Sequence, residues 1–181
     1  MNLYTERLAL RDFVLSDWSA LNAILTDPQV KRFMHFAAWD QEQRRDWLSQ
    51  MIQETSDSPR VAYNRAITLL SDGHLIGWFG IGNTAFAEKG VRDFGYALAR
   101  RFWRNGYMTE ALQAVIEYEF TALGTRRIIA ECDEQNPASA RVMQKNGMRY
   151  QSVLHAVDHD GRQCVSLHYA IDRDEWRNAR T

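Results

Sequence analysis

Apolar and polar residues near the start of the chain alternate first at the period of a strand and then at the period of a helix. In "ERLALRDF", Leu8 and Leu10 alternate with charged residues, which predicts a half-buried strand. Ser16-Asp17 is a helix-start signal before "WSALNAIL", and Asp27-Pro28 ends that helix. The chain is therefore predicted to open with a strand and a helix.

A second helix is predicted over "DQEQRRDWLSQMIQE". Its apolar side chains recur at helical spacing: Trp47, Leu48, Met51 and Ile52. Asp40 precedes the helix and Gln43 follows three residues later, a spacing that is typical of a capping box. We therefore expect the helix to begin directly after Asp40.

The next residues have an extended pattern. "RVAYNRAITLL" and "LIGWFGIGNT", separated by the turn "SDGH", predict an antiparallel hairpin, and "DFGYALA" predicts a further strand. The glycines of "GWFGIG" lie inside a strand and do not open a helix. They therefore fail the structural context of a dinucleotide-binding motif.

The second half of the chain returns to helices that alternate with strands. "MTEALQAVIEYEFTAL" predicts a long helix ending at Gly124, "RRIIAECD" a strand, and residues 136–145 another helix. A closing hairpin is predicted around a two-residue turn at Asp160-Gly161. The predicted order is β-α-α-β-β-β-α-β-α-β-β, a mixed α/β (α+β) sheet flanked by helices, in one domain over residues 1–181.

Composition and charge narrow the function classes. With 181 residues and 45% hydrophobic side chains, the chain can bury one enzyme-sized core. Its net charge of -1 provides no basic field for nucleic acid, so we expect no nucleic-acid partner. No stretch has the signature of a signal peptide or a membrane span, which predicts a soluble cytoplasmic protein. Cys132 and Cys164 are expected to be reduced, and a disulfide between them is possible but not favoured.

The loop "RRFWRNGYMTEA", residues 101–112, has the chemistry of an anion site. A strand leads into it and a helix follows, so backbone N–H groups and the helix dipole point at the same place. Gly106 lets the backbone approach a ligand closely, and Arg100, Arg101 and Arg104 add positive charge. The pattern indicates a phosphate-bearing ligand, and an ordinary strand-to-helix turn with surface arginines is the alternative.

Several segments in the same order resemble one family. "WRNGYMTEAL" is similar to the pyrophosphate-binding motif of the GNAT superfamily of acyl-CoA-dependent N-acyltransferases, nearest to its RimJ/RimL-like branch of ribosomal-protein N-terminal acetyltransferases. "TERLALR", "DPQVKRFM", "NPASARVMQKNGM" and the closing hairpin resemble other segments of that branch. The resemblance implies a GNAT-like, mostly antiparallel sheet and transfer of an acetyl group from acetyl-CoA to an amine by direct attack in a ternary complex.

The resemblance also implies roles for individual residues. Acetyl-CoA is expected to contact the backbone around the loop and Asn136, at Tyr96, Ala97, Leu98, Arg104, Asn105, Gly106, Tyr107, Met108 and Thr109. Ser139 is the expected acid for the leaving thiolate, although a serine in a first helical turn is ordinary on its own. Asn136 is equally suited to capping the helix. From the residues themselves, Glu131 and Asp133 alternate on the strand "IIAECDE" and are candidates for the base, Glu131 in particular if burial raises its pKa, and His155 is an alternative base.

Other readings stay open. The expected acceptor-site residues are Phe36, Trp39 and His155, and the acceptor is a peptide or small-molecule primary amine. Met108 stands where the branch usually has a small residue and can crowd the pyrophosphate, so a catalytically silent acyl-CoA-binding module is the alternative. The hairpin carries His155, His159, Cys164 and His168, which a two-residue turn places on one face but too far apart for one zinc ion. We expect no metal, and the branch commonly forms homodimers.

Overall fold

The computed structural model describes residues 2–34, 38–58, 60–83, 88–157 and 163–180. The strands in this part of the chain are β1 (Leu3–Tyr4), β2 (Leu8–Arg11), β3 (Ala62–Leu69), β4 (Leu75–Gly82), β5 (Val91–Leu98), β6 (Arg127–Asp133), β7 (Arg149–Val157) and β8 (Gln163–Asp172). The helices are α1 (Trp18–Thr26), α2 (Pro28–Lys31), α3 (Gln41–Gln53), α4 (Tyr107–Thr121), α5 (Pro137–Lys145) and α6 (Arg173–Asn178). Beyond the predicted order, the structure adds the short β1, α2 and α6.

The strands follow the order β1-β2-β3-β4-β5-β6-β8-β7 through hydrogen-bonded neighbours. The pair β5–β6 is parallel, and β1–β2, β2–β3, β3–β4, β6–β8 and β7–β8 are antiparallel. A parallel neighbour needs a crossover connection, and α4 supplies it between β5 and β6. The predicted mixed, mostly antiparallel sheet with flanking helices is confirmed.

The chain divides into two compact units. Unit 1 comprises residues 1–82 and 95–107, and unit 2 comprises residues 83–94 and 108–181. Strand β5 contributes its first half to unit 2 and its second half to unit 1. The prediction of a single domain over residues 1–181 stays a prediction.

The core of unit 1 lies between its first helices and the strands. Its buried side chains come from α1, α2, α3, β3, β4 and β5 and from the segment between β2 and α1: Phe13, Leu21, Ile24, Leu25, Val30, Leu48, Met51, Ala66, Leu75 and Ala97. Helix α3 begins as predicted, because Gln43 N–H donates to Asp40 Oδ1 and Asp40 N–H donates to Gln43 Oε1, each over 2.9 Å. Helix α1 ends before Asp27, also as predicted.

Unit 2 buries one face of α4. The buried side chains on that helix are Met108, Ala111, Leu112, Val115, Ile116, Glu119 and Phe120. Phe120 contacts Trp176 of α6 with ring centroids 5.5 Å apart. Glu119 is the exception among apolar residues, and it pairs with Arg92 of β5, whose Nε donates to Glu119 Oε2 over 3.1 Å. An ion pair therefore fixes the first half of β5 to this helix.

The closing hairpin differs in register from the prediction. A two-residue turn at Asp160-Gly161 would place His155 opposite Ser166, but His155 pairs with Val165 and Leu154 pairs with Ser166. The physical reason is that Val157 pairs with Gln163, which leaves an odd number of residues between the strands. A shift of one residue turns a side chain to the other face of the sheet, so His155 and His168 lie on opposite faces.

Helices that could cross a bilayer are absent from the described ranges of the chain.

Candidate functional site

The loop between β5 and α4 is fixed to the end of β5. Arg100–Phe102 form one turn of 3-10 helix, and Phe102 N–H donates to Ala99 O over 2.9 Å. Trp103 Nε1 donates to Leu98 O over 2.8 Å, so the indole folds back onto the strand end. These two hydrogen bonds therefore fix the backbone at Phe102 and Trp103, directly before the turn of the loop.

Two left-handed residues shape the turn. Arg104 has φ of 63° and Gly106 has φ of 81°. The side chain of Asn105, between them, donates from Nδ2 to Trp103 O over 3.0 Å. A Cβ placed on Gly106 would meet one atom within 4 Å, Arg7 Nη2 at 3.5 Å. The loop is thus open at Gly106, and alternating left-handed residues are the geometry in which backbone N–H groups form an anion-binding concavity.

Helix α4 starts directly after this turn, at Tyr107. Its first N–H groups have no partner within the helix, and the helix dipole is positive at this end. Met108 is only 4% exposed, so its side chain points into the protein. That Met108 crowds the pyrophosphate stays a prediction. An open turn followed by the N–H groups of a helix start fits a pyrophosphate group.

Arg7 reaches the loop from the segment before β2. Its Nη1 donates to Asn105 O over 3.1 Å, and its guanidinium lies over the Tyr107 ring, 4.5 Å from the centroid. Phe102 contacts the same ring with centroids 6.2 Å apart. No motif singles out Arg7, because its partners lie almost one hundred positions further along the chain.

The strand end that precedes the loop holds Tyr96, Ala97 and Leu98. Tyr96 stacks on Phe79 with ring centroids 6.4 Å apart, and Ala97 is buried. Ala99 N–H donates to Ile76 O over 2.8 Å, which continues the pairing toward β4. Polarisation of the acetyl carbonyl by a backbone N–H among these residues stays a prediction.

In unit 2, Asn136 and Ser139 form the start of α5. Asn136 Oδ1 accepts from Ser139 N–H over 3.2 Å, and Pro137 occupies the first helical turn. Asn136 is therefore the helix cap, which was one of its two predicted roles. Its contact with the pantetheine arm stays a prediction.

Ser139 lies against Cys132 of β6. Burial raises the pKa of the Cys132 thiol to about 11, with a smaller contribution from the charge of Asp133, while a hydrogen bond with the Ser139 side chain opposes the rise. Cys132 is a free, buried thiol and is neutral at pH 7. The Ser139 hydroxyl is thus held at the start of α5 by a neutral neighbour.

Glu131 lies on the face of the sheet opposite Cys132, since the two residues are consecutive on β6. Its Oε2 accepts from Ser166 Oγ of β8 over 3.2 Å, and His168 is its direct cross-strand neighbour. Glu131 is exposed, so the burial on which its predicted role as base depended is absent. Asp133 instead accepts from Gln135 N–H over 2.7 Å and shapes the turn before α5.

Asp93 of β5 joins Glu131 on this face. It pairs in register with Ile129, two residues before Glu131 on the neighbouring parallel strand. The pKa of Asp93 is raised to about 6, mainly by burial; a hydrogen bond with the Phe94 backbone opposes the rise, and the charge of Glu131 makes a smaller upward contribution. A carboxyl that titrates near neutral pH can accept a proton from an amine, and sequence reasoning missed it.

Of the expected acceptor residues, the structure describes two. Trp39 contacts Trp47 edge-on, and Trp47 contacts Trp78 in the same manner, with centroids 5.5 and 5.1 Å apart. His155 lies on β7 in unit 2. Phe36 lies outside the described residues.

Within the described ranges, no group of three or more His, Cys, Asp or Glu side chains is arranged to hold a metal ion. His159 and the side chain of Cys164 lie outside what the structure describes.

The mixed sheet leads into an open turn at a helix start, a geometry that suits a phosphate-bearing ligand. The family model "Acetyltransferase (GNAT) domain" matches residues 7–149. An uncharacterized N-acetyltransferase, p20 of Bacillus licheniformis, is 33% identical over 153 residues, which cover 84% of this chain and 84% of that protein. The chain therefore belongs to the GNAT family and is an acetyltransferase.

Solved structures show the same fold. The GNAT-family acetyltransferase from Bacillus anthracis superposes with a TM-score of 0.83 at 26% identity, covering 97% of this chain and 100% of that one. Mycobacterium smegmatis RimJ, solved in complex with CoA-disulfide, has a TM-score of 0.80 at 23% identity and covers 97% of this chain and 87% of that one. Acetyl-CoA is the acetyl donor that this family membership supports.

Proposed function

We propose that the protein transfers the acetyl group of acetyl-CoA to a primary amine, either a protein or peptide N-terminus or a small amine, by direct attack in a ternary complex. The observation that carries the proposal is the open turn at Gly106, with φ of 81° at the start of α4. Family membership supports acetyl-CoA as the donor, and the shape of the turn supports binding of its pyrophosphate there.

In this proposal the loop residues bind and orient the donor. The backbone N–H groups from Arg104 to Thr109 hold the pyrophosphate, and the exposed Arg104 adds charge. Asn136 contacts the pantetheine arm. These contacts fix the thioester, so attack by the amine becomes effectively unimolecular.

Asp93 is the proton acceptor in this proposal, and Glu131 supports it. A primary amine with a pKa of about 8 is mostly protonated at pH 7, and a carboxylate beside it favours binding of the ammonium form. Asp93 takes a proton from the ammonium, and the neutral amine nitrogen then attacks the thioester carbon. Glu131 adds a second, more exposed carboxyl on the same face of the sheet.

Ser139 completes the proton balance. The nitrogen–carbon bond forms, the carbon–sulfur bond breaks, and Ser139 passes its hydroxyl proton to the departing sulfur. The nitrogen loses its surplus proton to solvent as it becomes the amide, and solvent returns a proton to the Ser139 oxygen. Its backbone N–H is held by Asn136 over 3.2 Å, which keeps the hydroxyl in a defined position. The acceptor is a primary amine whose further chemistry is open. A homodimer is a further proposal that rests on the resemblance, and a cytoplasmic location is one that rests on the sequence pattern.

Calorimetric titration of acetyl-CoA tests the proposal, with Gly106→Trp as the disruptive variant. Gly124→Trp is a matched control because Gly124 also has a positive φ, 70°, and a Cβ at that position would meet no atom within 4 Å. Saturable binding that is lost in Gly106→Trp and kept in Gly124→Trp supports the assignment. Equal binding in all three proteins would contradict it.

A silent acyl-CoA-binding module is the second possibility, and the same protein preparation separates it. Acetyl-CoA is incubated with panels of peptide N-termini and small amines, and release of free CoA thiol is measured. Turnover with any amine supports the transferase. Tight binding without turnover across the panels would favour the silent module.

A further inference from the structure

We propose that Arg7 is a positioning residue for the pyrophosphate loop, which sets the direction in which the loop's backbone N–H groups point. The inference rests on the proposed function, because it concerns how the loop binds acetyl-CoA. It adds a residue that lies outside the loop in sequence.

Arg7 contacts the residue before Gly106 and the residue after it. Its Nη1 donates to Asn105 O over 3.1 Å, its Nη2 would lie 3.5 Å from a Cβ added to Gly106, and its guanidinium lies 4.5 Å from the Tyr107 centroid. Arg7 therefore contacts the residues on both sides of Gly106, and its guanidinium lies beside the space that a side chain at Gly106 would enter. All four residues belong to unit 1.

The geometry of the peptide bond explains what this contact does. In a trans peptide the C=O and the next N–H point in opposite directions. Because Asn105 C=O points at Arg7, the N–H of Gly106 points away from Arg7, from the opposite edge of the same peptide plane. Arg7 thus presents the Gly106 N–H as a donor on one defined side of the loop.

Without Arg7 this peptide is free to rotate. Gly106 tolerates both signs of φ, so rotation of the Asn105–Gly106 peptide costs little. A rotated peptide would present a carbonyl oxygen where the N–H had been, and a carbonyl repels phosphate oxygens. Binding energy would then be spent on restoring the loop.

The guanidinium is suited to this task because it can do two things at once. Its fork donates to a carbonyl while its plane covers an aromatic ring. Lysine has one point charge on a flexible stem and cannot hold both contacts in fixed geometry. The expected signature is therefore a defect in Arg7→Lys as well as in Arg7→Ala.

The test compares two acetyl donors. Acetyl-CoA carries the pyrophosphate, and S-acetylpantetheine lacks it. Dissociation constants, KM and kcat are measured for both donors in wild type, Arg7→Ala and Arg7→Lys. Arg45→Ala is the matched control, because Arg45 is also exposed and lies over an aromatic ring, 4.7 Å from the centroid of Trp18.

We expect Arg7→Ala to raise the Kd and KM for acetyl-CoA by about 10- to 100-fold, the range for a lost hydrogen bond with a charged partner. The KM for S-acetylpantetheine and the kcat with saturating acetyl-CoA should stay within about twofold of wild type, because the pyrophosphate contact is a binding contact. Arg7→Lys should keep a defect of at least about fivefold in the same Kd.

Three results would overturn the inference. They are an unchanged Kd for acetyl-CoA in Arg7→Ala, an equal loss with both donors, which indicates a general folding defect, and full rescue by Arg7→Lys, which indicates charge alone. Failure of wild type to bind acetyl-CoA would instead overturn the proposed function. Arg7→Lys keeps the test decisive if Arg7→Ala does not fold.

Discussion

Asp93 and Glu131 lie on the same face of two neighbouring parallel strands, and their charges are coupled. Burial is the main reason that the pKa of Asp93 rises to about 6, and the nearby carboxylate of Glu131 adds to it. Ser166 holds Glu131 in place by donating to its Oε2 over 3.2 Å. The Asp93 carboxyl is therefore suited to exchanging protons near neutral pH.

The first prediction concerns the pH dependence of catalysis. Asp93→Asn should lower kcat by about 100-fold with an amine on which wild type is active, since it removes the proton acceptor. In wild type, kcat should rise with pH through about 6, where Asp93 loses its proton. That limb should be absent in Asp93→Asn. The control is Asp174→Asn, which neutralises an exposed carboxylate of α6. If the rise of kcat near pH 6 persists in Asp93→Asn, that rise belongs to another titrating group.

The second prediction concerns the stability of the same variant. Folding raises the pKa of Asp93 from 3.8 to about 6, so between these values the folded protein binds more protons than the unfolded chain. Wild-type stability should therefore fall as pH rises from about 4 to above 6. Asp93→Asn lacks this titrating carboxyl and should be more stable than wild type by about 1–2 kcal/mol at pH 7. Urea unfolding at pH 4 and pH 7 measures the free energy of unfolding of both proteins. A difference between variant and wild type that is equal at the two pH values would contradict the prediction.

The third prediction concerns Ser139. Ser139→Ala should lower kcat by about 10- to 100-fold while the Kd for acetyl-CoA changes little, because the hydroxyl acts when the sulfur leaves. Ser49→Ala is the control, since Ser49 is an exposed helix serine whose hydroxyl donates to Arg45 O over 3.1 Å. Stopped-flow measurement of thiol release with saturating substrates checks the effect. Unchanged turnover would remove Ser139 from the mechanism.

The fourth prediction concerns the link between the two helices of unit 2. Asn146 follows α5, and its Nδ2 donates to Val142 O over 2.9 Å and to Thr109 O in the first turn of α4 over 3.2 Å. Asn146→Ala should lower the free energy of unfolding by about 1–2 kcal/mol, because it leaves a part-buried carbonyl without its donor. Urea denaturation measures the change. A loss below about 0.3 kcal/mol would show that the contact is dispensable.

Local signals in the sequence predicted much of this architecture. The capping box at Asp40 and Gln43 and the break at Asp27 depend on residues a few positions apart, and both are present in the structure. The strand-to-helix loop was predicted for the same reason, since Gly106 and α4 adjoin. Several segments also resemble the GNAT family in the same order, and this resemblance predicted the mostly antiparallel sheet.

These local signals do not predict contacts between residues that lie far apart in the sequence. Asp93 owes its raised pKa to burial and to Glu131, 38 positions away, and neither is visible in "RDFGYAL". Arg7 reaches Asn105 across 98 positions. The register of the β7–β8 hairpin was predicted wrongly because a strong turn dipeptide was assumed to close it. In each case the deciding contact joins residues that no local pattern connects.

The last prediction concerns the buried ion pair beside Asp93. Glu119 is 1% exposed, accepts from Arg92 Nε over 3.1 Å and also accepts from the Thr125 hydroxyl. Glu119→Gln leaves the Arg92 charge buried without a counter-ion, and breaking such a pair costs about 3–5 kcal/mol. Glu117 provides a matched control on the same helix, because its partner Arg180 lies at 3.3 Å and both side chains are exposed.

Glu117→Gln should therefore change the free energy of unfolding by less than about 1 kcal/mol. Guanidinium denaturation gives both values, provided each variant unfolds in one cooperative step. A second readout connects the pair to chemistry, because Arg92 precedes Asp93 on β5 and fixes that part of the strand to α4. Glu119→Gln should lower kcat even at temperatures where it stays folded. If Glu119→Gln and Glu117→Gln lose similarly small amounts of the free energy of unfolding, the buried pair does not anchor β5.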